Sequence, residues 1–201
     1  MMRAFTLLFI AMLSAAAFAA GFPDSLVRIR GTVDKLDGNV LSVKTRDGQN
    51  TTVKLADDFV VMGITKQSTA DIATGKFIGS TTVGEKDGAL VAEEVHIFPE
   101  NMRGTGEGHY DWDLRPNSKM TNANIAKIKN VKNDRVLTVQ YKGGEKEILV
   151  TRETKVVGYT PSNKSELKPG APIFLVAQKQ PDGSLAARRV NVGLNGQAPP
   201  M

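Results

Sequence analysis

Apolar and polar residues alternate with a period of two through Val27-Arg28-Ile29-Arg30-Gly31-Thr32-Val33-Asp34, the pattern of a half-buried strand. Residues 40–46 repeat that pattern as a second strand. Residues 51–55 make a third, with 59–62 as its continuation. Asp37-Gly38-Asn39 and Asp47-Gly48 punctuate them as turns, since Gly and Asn tolerate positive φ. Ser68-Thr69-Ala70-Asp71 then has the form of a capping box, predicting a short helix stopped by Gly75. Two further strands, 77–83 and 90–97, flank an Asp87-Gly88 hairpin turn. The alternation assigns Ile29, Val33, Leu41, Val43, Val53, Ile78, Val95 and Ile97 to a core. It points Arg28, Arg30, Lys44, Lys54, Glu94 and His96 outward, because a one-residue slip would bury the charges instead.

The whole pattern then recurs. Positions 55–97 lie without a gap on positions 150–192, a constant offset of 95 residues over 43 positions. Val61/Val156, Gly63/Gly158, Thr65/Thr160, Gly75/Gly170, Ile78/Ile173, Asp87/Asp182, Gly88/Gly183, Leu90/Leu185, Ala92/Ala187 and Val95/Val190 are identical. One gap extends the match back to Leu41/Leu137 and Val43/Val139. One small domain has been used twice. The second copy is expected to bury Leu137, Val139, Ile148, Ile173, Val190 and Val192. Gly63 and Gly158 are expected at equivalent bends.

Three strands, a helix and two strands is the order of the OB-fold, although order alone leaves an SH3-like barrel or an open sheet in play. The expected fold is all-β: two tandem OB-like β-β-β-α-β-β barrels joined by a long central loop. The expected limits are 20–98 for the first repeat, 99–123 for the linker, 124–193 for the second repeat and 194–201 for a flexible tail.

Residues 1–19 read as a secretory leader: Arg3, an apolar run from Ala4 to Leu13, then the A-x-A site Ala17-Phe18-Ala19. That run is shorter than the ~20 residues a membrane-crossing helix needs, and no later stretch is apolar enough. The expected location is therefore periplasmic or secreted, after cleavage near Ala19. The chain has no cysteine, which excludes disulfides and thiolate chemistry, so packing alone must hold the fold. Charge is uneven. Residues 20–100 carry 9 Lys and Arg against 12 Asp and Glu, and residues 124–201 carry 13 against 6. A basic second repeat could face an anionic envelope polymer, or the halves could simply complement each other.

Asp71-Ile72-Ala73-Thr74-Gly75, echoed by Glu166-Leu167-Lys168-Pro169-Gly170 and followed by a strand and an Asp-Gly hairpin, resembles a bacterial domain of unknown function. That domain occurs singly or in tandem in exported proteins. The central 96–100 and 102–109 segments, Lys119-Met120-Thr121-Asn122-Ala123 and the Pro199-Pro200-Met201 ending resemble an alphaproteobacterial subgroup of it. Members of that subgroup often carry the label "metal ABC transporter permease". The resemblance implies an exported protein, with no established catalytic residues to carry over. A permease would need several long apolar spans, which this pattern lacks.

Candidate chemistry concentrates in the central linker. It holds the only Trp, and both histidines lie in it or at its edge. Glu107, His109, Asp111 and Asp113 alternate with Gly108, Tyr110, Trp112 and Leu114, so an extended chain would put four donors on one face and the aromatics on the other. In one reading Tyr110 and Trp112 anchor the loop to a barrel and the acids are solvated. In the other, His109 with Asp111, Asp113 or Glu107 binds a divalent ion, with His96 or Met102 folding in. Same-face neighbours are about 7 Å apart, so two could share an ion without a bend. Carboxylate with imidazole suits zinc or manganese, and a thioether suits copper.

No phosphate loop, nucleophile elbow or H-E-x-x-H motif is present, so no enzyme is expected and no resident cofactor beyond that candidate metal. Nucleic acid is not the expected partner. Phe59, Phe77, Phe98 and Phe174 suit core positions better than stacking platforms. The expected function is an exported, non-enzymatic binding or interaction module for an envelope ligand or protein. The alternatives are a metal-binding or metal-delivery protein using the central loop, and an envelope protein binding an anionic polymer through the second repeat.

Overall fold

The computed structural model describes residues 25–199. The expected leader and the end of the expected tail lie outside that range. Twelve strands form one continuous, strongly curved sheet: β1 (Leu26–Asp37), β2 (Val40–Thr45), β3 (Asn50–Lys66), β4 (Phe77–Lys86), β5 (Ala89–Ile97), β6 (Gly108–Asp111), β7 (Ser118–Val131), β8 (Asp134–Tyr141), β9 (Gly144–Val150), β10 (Lys155–Ser162), β11 (Pro172–Lys179) and β12 (Leu185–Gly193). Among the described residues no helix is long and apolar enough to cross a membrane.

The expected helix of each repeat is a single 3-10 turn, at Thr69–Asp71 and at Lys164–Glu166. The capping box is present: the Ser68 hydroxyl accepts from the Ala70 amide at 3.2 Å and the Asp71 carboxylate accepts from the Ser68 amide at 2.7 Å. With so few residues before Gly75 there is no room for a second turn. Gly75 and Gly170 take the same left-handed conformation, with φ of 83° and 84°. That conformation favours glycine. Gly63 and Gly158 are not bends. They lie inside β3 and β10, where the former's missing Cβ leaves space for Leu194 and the latter's for Gln67.

The repeats do not fold one barrel each. β1, β2 and β3 of the first repeat close with β12 and β11 of the second, giving barrel 1 in the order β1-β2-β3-β12-β11 and back to β1. Barrel 2 closes as β7-β8-β9-β5-β4, with β4 and β5 supplied by the first repeat. Each barrel is a three-strand meander sealed by a hairpin whose last strand runs parallel to the third, the OB-like arrangement. The expected boundaries 20–98 and 124–193 therefore delimit the sequence repeat but not the packing unit. Barrel 2 is continuous in sequence over 77–150, and barrel 1 is assembled from both ends around it. The central linker consequently joins two strands of one barrel, and its last residues already belong to β7.

A two-fold relation explains the exchange. Ile64 stands directly opposite Tyr159 in the antiparallel β3–β10 ladder, and these residues are equivalent at the repeat offset. Val190 beside Val61 and Val156 beside Val95 obey the same symmetry. β3 and β10 thus cross from one barrel to the other at the axis.

Both cores follow the alternation. Ile29, Val33, Leu41, Val43, Val53, Ile173, Val190 and Val192 fill barrel 1; Ile78, Val95, Leu137, Val139 and Ile148 fill barrel 2. Ile97 is half-buried against the second core. Lys44 and Lys54 are exposed, as expected. Arg28 and Arg30 point away from the barrel interior but are largely covered, and Glu94 and His96 are fully buried. Their strand faces are outward with respect to one barrel and inward with respect to the assembly, because the exchange presses the outer faces of the two barrels together.

Candidate functional site: a closed seam and two open clefts

The seam between the barrels gathers most of the unusual chemistry. On β5, His96 Nδ1 lies 3.3 Å from Glu94 Oε1, and the pair are 2% and 1% exposed. The His96 ring stands edge-on to Phe98 at 4.8 Å and to Tyr159 at 6.0 Å, while Tyr159 stacks on Phe98 at 5.2 Å. His96 fits because Gly79 faces it across the ladder: a Cβ there would sit 1.8 Å from its Nε2. The repeat partners of Gly79 and His96 are Phe174 and Asn191, so barrel 1 fills the equivalent volume with the sizes reversed. Burial, then the Glu94 carboxylate, push the Tyr159 hydroxyl far above its ordinary pKa, against an opposing pull from Arg189. At such low exposure the Glu94–His96 pair has no approach for a substrate. It serves the seam.

The central loop is ordered by the same seam. β6 pairs with the start of β7, Tyr110 opposite Met120. Trp112 packs with Phe174, Ile64 and Val157 and lies under the Arg28 guanidinium, 4.0 Å from the ring centroid. Arg30 and Arg28 hold the Asp113 carboxylate at 2.8 and 3.5 Å. Tyr110 sits 6.1 Å from Trp112, and its hydroxyl donates to the Gly106 carbonyl at 3.2 Å.

The candidate metal donors are dispersed. His109 Nδ1 lies 2.8 Å from the Thr121 hydroxyl, and burial, then Lys146 and Lys119, lower its pKa against a weaker opposing pull from Asp111. Asp111 pairs with Lys119, Asp113 with the two arginines, and Glu107 accepts from the Lys142 amide at 2.9 Å. His96 belongs to the seam, and Met102 is buried with Phe77 and Phe98. Among the described residues no three His, Cys, Asp or Glu side chains come together as a metal site. The loop donors alternate as expected, but each meets a partner from another strand before it meets its neighbour.

Partial burial works to raise the Asp113 pKa, but the hydrogen bond and charge of Arg30, with Arg28, outweigh it and hold the carboxyl below its ordinary value. A depressed acid pKa contributes stability above the unfolded value, about 3.9, that is lost as pH falls through the folded one. Trp112 emission is therefore expected to be blue-shifted and steady from about pH 8 to about pH 5, moving to the red only in stronger acid as the clamp is protonated. Emission typical of exposed indole at neutral pH would contradict the packing.

Open space lies elsewhere, at one topological position used twice. In barrel 1, β3 and β12 pair at Leu55/Ala187 and again at Val60/Arg189, so β3 carries more residues between those points and the strands part. β5 makes the same break, passing from Leu149 of β9 to Lys155 of β10. Each break opens a cleft, about 630 Å³ in barrel 1 and about 520 Å³ in barrel 2. Their linings correspond at the repeat offset: Gln178 with Val83, Ala186 with Val91, Ala187 with Ala92, Ala56 with Thr151. The remaining correspondence reverses the charge, Arg188-Arg189 in barrel 1 against Glu93-Glu94 in barrel 2. That reversal stands in the repeat alignment and was the one available signal for these residues.

Phe59, Phe77, Phe98 and Phe174, assigned to core positions by the sequence, are all buried. No family model matches the chain, and no curated protein or solved structure is significantly similar to it.

Proposed function

We propose that this is an exported, non-enzymatic binding module whose ligand positions are the two repeat-related clefts. The observation that carries the reading is the same strand break, with corresponding linings, in both barrels. A break that served folding alone would not need opposite charges at the open position of each cleft, Arg188 in barrel 1 and Glu93 in barrel 2. Clefts of several hundred Å³ with an apolar floor and a few polar groups are the usual form of a small-ligand site.

The exchange also relocates the basic character. Residues 25–68 and 167–199, which hold barrel 1, carry eleven Lys and Arg against six Asp and Glu; residues 69–154 carry twelve against thirteen. The positive lobe is thus barrel 1, built from both repeats, rather than the second repeat as a unit.

Amide chemical shifts of the mature chain, titrated with small molecules of either charge, test the proposal. Perturbations are expected to cluster at residues 54–56 and 176–189 or at 83–94 and 151–155. Perturbations confined to other surfaces would overturn it.

A further inference from the structure

We infer that the barrel 1 cleft takes a small amphipathic anion, an apolar body ending in a carboxylate or similar oxyanion. This rests on the clefts being binding positions.

The floor is apolar and small. Leu55 and Val176 line it, and Ala56, Ala186 and Ala187 leave volume that larger side chains would fill. In barrel 2 two of those alanine positions are Thr151 and Val91, and Leu114 and Arg115 of the central loop line the cleft as well. The barrel 1 cleft has no such cover from the central loop and is the more apolar of the two.

Its rim is cationic. Lys54, Arg188 and Arg189 line the same space. Among the described residues Arg188 is held only by an exposed ion pair with Asp58, with side chains 76% and 69% exposed, so an incoming anion can compete for it. Guanidinium forks match planar oxyanions. Only one sign of charge satisfies this rim.

The barrel 2 cleft supplies an internal control. Glu93 occupies the place of Arg188 at its rim, while Glu94, at the place of Arg189, is closed into the seam. At the equivalent position in barrel 2 an anion meets Glu93, already paired with Arg115, instead of an exposed arginine.

Titration of the mature chain with decanoate and with decylammonium, both below their micelle concentrations, separates the outcomes. Decanoate is expected to shift the amides of Ala56, Gln178 and Ala187, and decylammonium to leave them in place. Lys54→Gln with Arg188→Gln, both at exposed positions, should weaken decanoate at least ten-fold with circular dichroism unchanged. Ala186→Phe, which fills the cleft, should abolish its binding. Equal affinity in the double glutamine variant, or decanoate seated in the barrel 2 cleft, would overturn the inference. If decylammonium occupies barrel 2 while decanoate binds nowhere, the anion inference falls and the binding-module reading stands. If neither probe shifts either cleft, both fall.

Discussion

Removal of residues 167–199 is expected to dismantle barrel 1 and leave barrel 2 folded. Those residues supply eight of the sixteen buried side chains of the first core, among them Ile173, Leu175, Val190 and Val192. Without them β1 loses β11 and β3 loses β12, exposing two strand edges and half an apolar interior. Every buried residue of the second core lies between Ile72 and Val156, so that barrel keeps all its strands. Amide hydrogen exchange on the truncated chain should show protection over 77–150 and little over 26–55. Two independently folding repeats would give the opposite map, with 25–98 protected and 118–162 exposed. The expected loss is the whole stability of one barrel.

The Gly79–His96 contact is expected to give the largest point effect. A methyl group at position 79 would meet His96 Nε2 at 1.8 Å and Asn122 Oδ1 at 2.5 Å in a packed, buried seam. Overpacking of this kind costs about 1–3 kcal/mol, or several degrees of melting temperature in a chain of this size. Gly79→Phe should cost more. Gly79→Phe combined with His96→Asn should recover part of the loss, because it installs the Phe174 and Asn191 arrangement that barrel 1 already tolerates. Interaction energies of about 0.5–3 kcal/mol are usual for side chains in contact. Thermal unfolding of the parent chain, Gly79→Phe, His96→Asn and the double variant measures the coupling. A double variant no more stable than the sum of its singles would show that the two positions do not share the space.

Burial within a barrel was legible because it is a local property. Alternation at Leu41, Val43, Leu137 and Val139 needs only a pleated strand with one covered face, whichever strand covers it. Partner choice is different. Ile78 and Ile173 are identical, as are Gly75 and Gly170 and Ala92 and Ala187, so β1 would find nearly the same apolar surface on the hairpin of either repeat. What selects the exchanged pairing is the β3–β10 ladder at the axis and the central loop seated on Trp112, and both are long-range. The same blindness affected the candidate site. The alternation gave Glu94 and His96 their correct side of β5 but could not show that Tyr159 of β10 closes over it. Asp113 shared its face with Asp111 on paper, yet Arg30, 83 positions away, claims it.

The exchange of hairpins also sets a stoichiometry. In this conformation one repeat holds its meander in one barrel and its hairpin in the other, so by itself it leaves both edges open. Kept in that conformation, a lone repeat would close by pairing with a second copy as a two-fold dimer. Duplicated in one chain, it carries its partner at a fixed and high effective concentration, and the dimer becomes unimolecular. A third repeat would find both meanders and both hairpins already engaged, and its open edges would invite association between chains. In assembly terms the pair of repeats is a dimer written on a single polypeptide, each copy closing the other's barrel.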